Sequence, residues 1–161
     1  MLLQRDHINL MLTAINNSKI DISLKKSTKR LAKDLIFHLK PGNIVFLYGE
    51  MGVGKTTFVR YLINEFQESK NLAITEVTSP TFNLLNEYQV NDLIIKHYDL
   101  FRLKDKLEIE NLDLFENSKN TITLIEWPEL IEKKNLINII DLIFSYEDDF
   151  NNRYVKVNGL S

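Results

Sequence analysis

The sequence predicts an α/β fold: a mixed, mostly parallel central sheet flanked by helices and by an antiparallel hairpin. Three observations carry that expectation. Ile44-Val45-Phe46-Leu47-Tyr48 is an unbroken apolar run of the kind that fills a strand buried on both faces. A glycine-rich turn follows at once, and then apolar residues at helical spacing: Phe58, Val59, Leu62, Ile63 and Phe66. Further short apolar runs, Leu93–Asp99 and Thr121–Glu126, suit additional strands of the same sheet.

Taken in order, residues 1–18 carry Leu2, Leu3, Ile8, Leu10, Met11 and Leu12, but Arg5, Asp6 and His7 break the run too early for a signal-peptide core. They are expected as an N-terminal extension, either helical or disordered, with Met11 a candidate initiator. Residues 19–161 are expected as a single domain, since 161 residues with 44% apolar content suffice for one core. Ile20, Ile22 and Leu24 alternate with polar residues as in a half-buried strand. Ser27 is read as the cap of a helix with Leu31, Ala32, Leu35, Ile36 and Leu39 on one face, stopped by Pro41-Gly42.

Beyond the second helix the pattern turns to strands at residues 73–77, 82–90 and 93–99, the last two joined by a turn at Asn91-Asp92. Residues 104–117, acidic and leucine-rich, are expected to form one or two short helices. Pro128 suits the first position of a helical turn. Residues 136–146 and 153–158 are expected to close as a terminal hairpin.

Composition excludes several classes. The chain has no cysteine, so a disulfide framework, thiolate metal sites and a cysteine nucleophile are ruled out. Its net charge of −2 supplies no general basic field for nucleic acid. No stretch approaches the roughly 18 uninterrupted apolar residues of a membrane span, so a soluble, cytoplasmic chain with no membrane association is expected.

Gly49-Glu50-Met51-Gly52-Val53-Gly54-Lys55-Thr56 is the segment richest in chemistry. Three of the five glycines fall within it. Backbone amides that curl around phosphate oxygens need positions free of side chains, Lys55 offers a charge to the outer phosphates, and the Thr56 hydroxyl is a magnesium ligand. The helix that starts there turns its positive end toward the anion, with Thr57 in its first turn. Strand, glycine loop and helix together define a P-loop, and the fold expectation sharpens to a three-layer P-loop NTPase-like arrangement.

A phosphate loop does not specify a reaction, so carboxylates at neighbouring strand ends matter. Glu126 ends the run Ile122-Thr123-Leu124-Ile125, and Asp99 ends the one from Leu93. Each is a candidate magnesium or water-orienting group; the alternative for each is a cap of the next segment. Ser79-Pro80-Thr81 either presents a hydroxyl to phosphate or magnesium or is a proline turn. Trp127, the one tryptophan, reads as core packing or as a recognition residue. His97 reads as a packed strand residue, and Arg102 as a partner of phosphate or of Asp99.

Four blocks taken together resemble the TsaE family of bacterial ATPases. They are Leu47 to Phe58, Ser79-Pro80-Thr81-Phe82 with Asn86-Glu87-Tyr88, His97-Tyr98-Asp99-Leu100-Phe101-Arg102-Leu103, and Ile125-Glu126-Trp127-Pro128-Glu129. The resemblance implies a magnesium-dependent protein that binds and slowly hydrolyses ATP while docked on TsaB and TsaD. These make threonylcarbamoyladenosine at adenosine 37 of tRNA, which this chain would meet only through the complex. Carried onto matching positions, it makes residues 49–57 the nucleotide cradle, with Lys55 and Thr56 serving phosphate and metal. Glu126 becomes a metal ligand, Asp99 a magnesium or water-positioning group, and Thr81 a switch-type residue. Trp127 lies near the nucleotide, and Thr28 stands beside its base. Asn111 and Asn135 stand where the family usually has Gly and Pro, which bears on loop geometry alone.

Two other readings fit a P-loop: a small-molecule kinase, and a nucleotide-gated binding module with negligible turnover. The first needs an arginine-bearing lid, and near Asp99 the sequence offers Arg102 alone, with Arg153 far along the chain.

Overall fold

Strands and helices alternate largely as the apolar periodicity predicts. The computed structural model describes residues 16–116 and 118–161; most of the N-terminal extension therefore lies outside the described residues. The elements are β1 (Lys19–Asp21), α1 (Lys25–Leu35), β2 (Ile44–Tyr48), α2 (Lys55–Ser69), β3 (Leu85–Val90), β4 (Leu93–Asp99), α3 (Lys106–Glu110), β5 (Thr121–Glu126), β6 (Ile139–Glu147) and β7 (Asp149–Asn158). Single 3₁₀ turns occur at Ser118–Asn120 and Pro128–Leu130.

The seven strands form one sheet in the order β1-β7-β6-β2-β5-β4-β3. Its centre, β6-β2-β5-β4, is parallel, and the outer pairings β1-β7, β7-β6 and β4-β3 are antiparallel. β2 therefore lies in the middle, with β5 on one side and β6 on the other. That position explains its unbroken apolar run, because alternate residues enter different cores. Val45 and Leu47 pack with Leu31, Leu35, Phe58, Leu62 and Ile63 under α1 and α2. Ile44 and Phe46 join Tyr98, Leu100, Ile109, Leu114 and Ile125 on the opposite face, where α3 and its flanking loops form the third layer. Each fully buried side chain of this size contributes about 1.5–3 kcal/mol, enough to anchor α2 rigidly behind the loop it follows.

Several local expectations are corrected. Helix α1 begins at Lys25 with Leu24 as its N-cap and no side-chain cap, so Ser27 lies inside the first turn; its amide donates to Leu24 O at 3.0 Å. Residues 73–77 form no strand. The Thr75 amide donates to Gln67 Oε1 (3.1 Å), Gln67 Nε2 to Thr75 Oγ1 (2.9 Å), and Arg60 Nε to Val77 O (3.2 Å). Side chains of α2 thus satisfy a backbone that a neighbouring strand would otherwise pair.

β3 starts at Leu85, not at residue 82. The chain turns at Pro80–Leu84, where the Leu84 amide bonds Pro80 O at 2.7 Å and Leu84 has φ 65°. The terminal hairpin is tighter than expected, turning at Asp148 (φ 60°) with a bulge at Tyr146/Glu147. The brief helix α3 is held by a reciprocal cap: Glu108 N donates to Asp105 Oδ1 at 3.0 Å, and Asp105 N to Glu108 Oε1 at 3.2 Å.

Candidate functional site

The parallel centre of the sheet delivers the C-terminal ends of β2, β4 and β5 to one edge, where open α/β sheets bind their ligands. Between β2 and α2 the chain turns through residues 49–54. Gly49 has φ 139°, and a Cβ there would stand 2.7 Å from Phe144 O and 3.0 Å from Val53 Cγ1. Gly54 caps α2 in the left-handed region, with φ 118°. Both positions therefore require glycine, one for space and one for conformation. The amides they free, with the positive end of α2, make a concavity suited to phosphate.

Lys55 is buried, and its ammonium donates to Gly49 O and to Glu50 O (3.0 Å). It also lies 4.0 Å from the centre of the Trp127 ring. Burial pushes its pKa below the ordinary lysine value, while Glu126, Glu129, Asp99 and Glu50 pull the other way. Thr56 Oγ1 donates to both oxygens of Glu126, at 2.9 and 3.1 Å. Asp99 and Glu126 are direct register partners at the ends of β4 and β5. Asp99 accepts from Ser79 Oγ (3.1 Å), Thr81 Oγ1 (3.4 Å) and the Phe101 amide (3.0 Å), and the two hydroxyls lie 2.7 Å apart.

These groups enclose one cavity of about 410 Å³. Met51, Gly52, Gly54, Lys55, Thr56 and Thr57 bound it on the loop side, and Ser79, Thr81, Asp99, Phe101, Glu126 and Trp127 face them. Gly49, Glu50 and Val53 shape the loop without lining the cavity; Val53 is wholly buried. Thr28 is not brought to the cavity either: it is buried, and its hydroxyl donates to Ile22 O (3.3 Å) and Leu24 O (3.5 Å). A second groove of about 380 Å³, beside α3, contains none of the phosphate-loop residues.

A hard, six-coordinate cation suits this chemistry. Thr56 and Glu126 place two oxygen atoms side by side that could serve as ligands, and the described residues contain no group of three or more His, Cys, Asp or Glu able to hold a metal alone. An ion held by one or two protein oxygens completes its shell with phosphate and water, as magnesium does.

Trp127 packs against the second core and also lines the cavity. It is half-buried, with φ 58°, and its ring lies 4.8 Å from that of Phe101. Arg102 does not line the cavity and is paired with Phe82, not with Asp99: it donates to Phe82 O at 3.2 Å and covers the exposed Phe82 ring. Three further residues stand at the site, to none of which the sequence assigned a place there; His97 is the packed strand residue expected. His97, wholly buried, lies with Nε2 2.8 Å from Glu126 Oε1; its place two residues before Asp99, hence on the same strand face, was the available signal. Arg153 and Tyr146 reach the glycine loop from the terminal hairpin: Nη1 is 3.9 Å from where a Gly54 Cβ would stand, and the Tyr146 hydroxyl 3.6 Å from one on Gly52. Arg153 is a single residue tied to Ser23 O at 3.2 Å, not the arginine cluster of a kinase lid.

A family model described as threonylcarbamoyl adenosine biosynthesis protein TsaE matches residues 22–155. The tRNA threonylcarbamoyladenosine biosynthesis protein TsaE of Rickettsia bellii is 41% identical over 133 residues, covering 83% of this chain and 90% of that one. The protein of the same name from Rickettsia felis is 44% identical over 108 residues, 67% of this chain and 61% of its own length. Among solved structures, Bacillus subtilus YdiB superposes with a TM-score of 0.66 over 89% of this chain and 86% of its own, at 24% identity, a likeness of fold.

Proposed function

From the premise that the chain belongs to the TsaE family, we propose that it binds and hydrolyses magnesium-complexed ATP in the service of tRNA modification. Its pathway is the biosynthesis of threonylcarbamoyladenosine in tRNA. The observation that supports the ATPase reading best is the meeting of Lys55 and Thr56, at the head of α2, with the carboxylates of Glu126 and Asp99 across one cavity.

In this reading the loop amides cradle the phosphates and Lys55 pairs with the outer ones. Thr56 and Glu126 would hold the magnesium, whose charge would offset that of the phosphate oxygens. Asp99 orients water for attack on the terminal phosphorus, and Thr81, hydrogen-bonded to it, couples that carboxylate to the loop at 79–84. Trp127 closes the cavity over the Lys55 ammonium. TsaB and TsaD are the partners on which turnover depends, tRNA is reached only through them, and the setting is the cytoplasm. Among the described residues no helix is long and apolar enough to cross a membrane.

The test measures phosphate release by the chain alone and with TsaB and TsaD, with Glu126→Ala alongside. Hydrolysis that rises with the partners and collapses in Glu126→Ala, while nucleotide binding survives, is expected. Binding without phosphate release under every condition would instead make the chain a nucleotide-gated module. Transfer of phosphate to a small acceptor would make it a kinase.

A further inference from the structure

We propose that His97 is the positioning residue of the metal-ligating carboxylate: its neutral ring holds Glu126 Oε1 and thereby aims the carboxylate at Thr56 and the cation. This rests on the reading of Thr56 and Glu126 as magnesium ligands. His97 is 0% exposed and Glu126 2%. A carboxylate so enclosed needs fixed donors, and among the described residues this one has two: Thr56 Oγ1, which spans both oxygens, and His97 Nε2, 2.8 Å from Oε1.

The far side of the ring assigns the tautomer. His97 Nδ1 is buried and has no hydrogen-bond partner among the described residues. A proton there would leave a buried donor unsatisfied and would set the Nε2 lone pair against the carboxylate. With the proton on Nε2, Oε1 receives a hydrogen bond, and Nδ1 carries only an unused acceptor lone pair.

A neutral donor orients a carboxylate without cancelling its charge, so the full negative charge stays available to a divalent ion. A lysine or arginine at this position would compete with that ion. The same logic governs ligands held by hydrogen bonds from behind, whose loss typically costs about 10–100-fold in metal affinity. Strand geometry makes the placement rigid, because β4 lies between β5 and β3 and His97 is locked in register opposite Leu124 and Asn86.

The experiment titrates magnesium into the full chain at fixed ATP, read by calorimetry and by emission of Trp127, the single tryptophan. ATP binding is measured in parallel with metal removed by chelator. Three variants differ in reach: the amide of His97→Gln extends to the place of Nε2, that of His97→Asn stops one methylene short, and His97→Leu has no donor. The expected result is a wild-type magnesium midpoint for His97→Gln. For His97→Asn and His97→Leu the midpoint should rise about 10–100-fold, with metal-free ATP affinity unchanged. Should His97→Leu fail to fold, the Gln and Asn variants carry the comparison. An unshifted midpoint in His97→Asn overturns the proposal, as does a parallel loss of metal-free affinity, which would mark a role in the fold alone. If the wild-type chain itself takes up no magnesium-ATP, the ATP reading falls and this assignment falls with it; uptake by wild type with unshifted variants refutes His97 alone.

Discussion

The ammonium of Lys55 lies 4.0 Å from the centre of the Trp127 ring, so the cationic side chain at the head of α2 rests against the residue that follows Glu126, the carboxylate ending β5. A cation over an indole face is attracted by the ring quadrupole. The two groups are 72 residues apart (127 − 55) and meet because β2 and β5 are adjacent and parallel.

That contact gives the protein an internal reporter. Phosphate that draws the ammonium away from the ring alters the surroundings of the sole tryptophan, so magnesium-ATP should change its emission saturably. In Lys55→Met the baseline should differ and the response should vanish, with nucleotide affinity reduced more than tenfold by calorimetry. An emission response of wild-type size in that variant would break the link between the two residues.

Burial of Lys55 also has a pH signature. Its folded-state pKa lies below the ordinary value of 10.5, chiefly because burial disfavours the charged form. The unfolded chain therefore holds that proton more tightly, and the protonated lysine weakens the fold at every pH below the folded pKa. As pH rises through the folded pKa toward 10.5 the penalty is relieved. Lys55→Met should be at least as stable as wild type at pH 7, with its advantage shrinking above the folded pKa. Denaturant unfolding at several pH values measures this; an advantage that grows with alkalinity would contradict the sign.

Much of this architecture was legible in the chain. β2, α2, β4 and β5 are short apolar runs or clean helical stripes, and Asp99 and Glu126 stand where those runs end. What escaped depends on partners distant in sequence. Residues 73–77 look like a strand, yet Gln67 and Arg60 take up their hydrogen bonds from α2. The bond from His97 to Glu126 is set by the β4–β5 register, and Arg153 reaches Gly54 only because the hairpin folds back over the glycine loop. The start of α1 was misread because Leu24, at its N-cap, provides no side-chain acceptor that a sequence pattern could flag.

Gly49 and Gly54 should respond differently to alanine. At Gly49 a methyl group meets the Phe144 carbonyl at 2.7 Å on backbone that cannot recede, in addition to a φ of 139°. The expected cost is about 1–3 kcal/mol or more, with about 2–4 °C of melting temperature lost per kcal/mol. At Gly54 the nearest atom is the Arg153 guanidinium at 3.9 Å, so only conformational strain of about 1–2 kcal/mol applies. Thermal melting should rank Gly49→Ala below Gly54→Ala, and the reverse order would refute the steric account.

Asp99 ties down the turn at 79–84, and two substitutions separate that structural task from the proposed chemical one. Its carboxylate accepts from Ser79, Thr81 and the Phe101 amide. Asp99→Ala strands these donors and should cost about 1–3 kcal/mol of stability while loosening the turn at 79–84. In Asp99→Asn the carbonyl oxygen still accepts from Phe101, and the hydroxyls of Ser79 and Thr81, acceptors as well as donors, can take the amide hydrogens. Its stability should therefore stay within about 1 kcal/mol of wild type, leaving loss of charge as the main change. If Asp99 orients water through that charge, Asp99→Asn should lose hydrolysis as fully as Asp99→Ala yet keep nucleotide affinity. Denaturation, calorimetry and phosphate release on the same three proteins decide it: wild-type turnover in Asp99→Asn would reduce Asp99 to a tether for the loop.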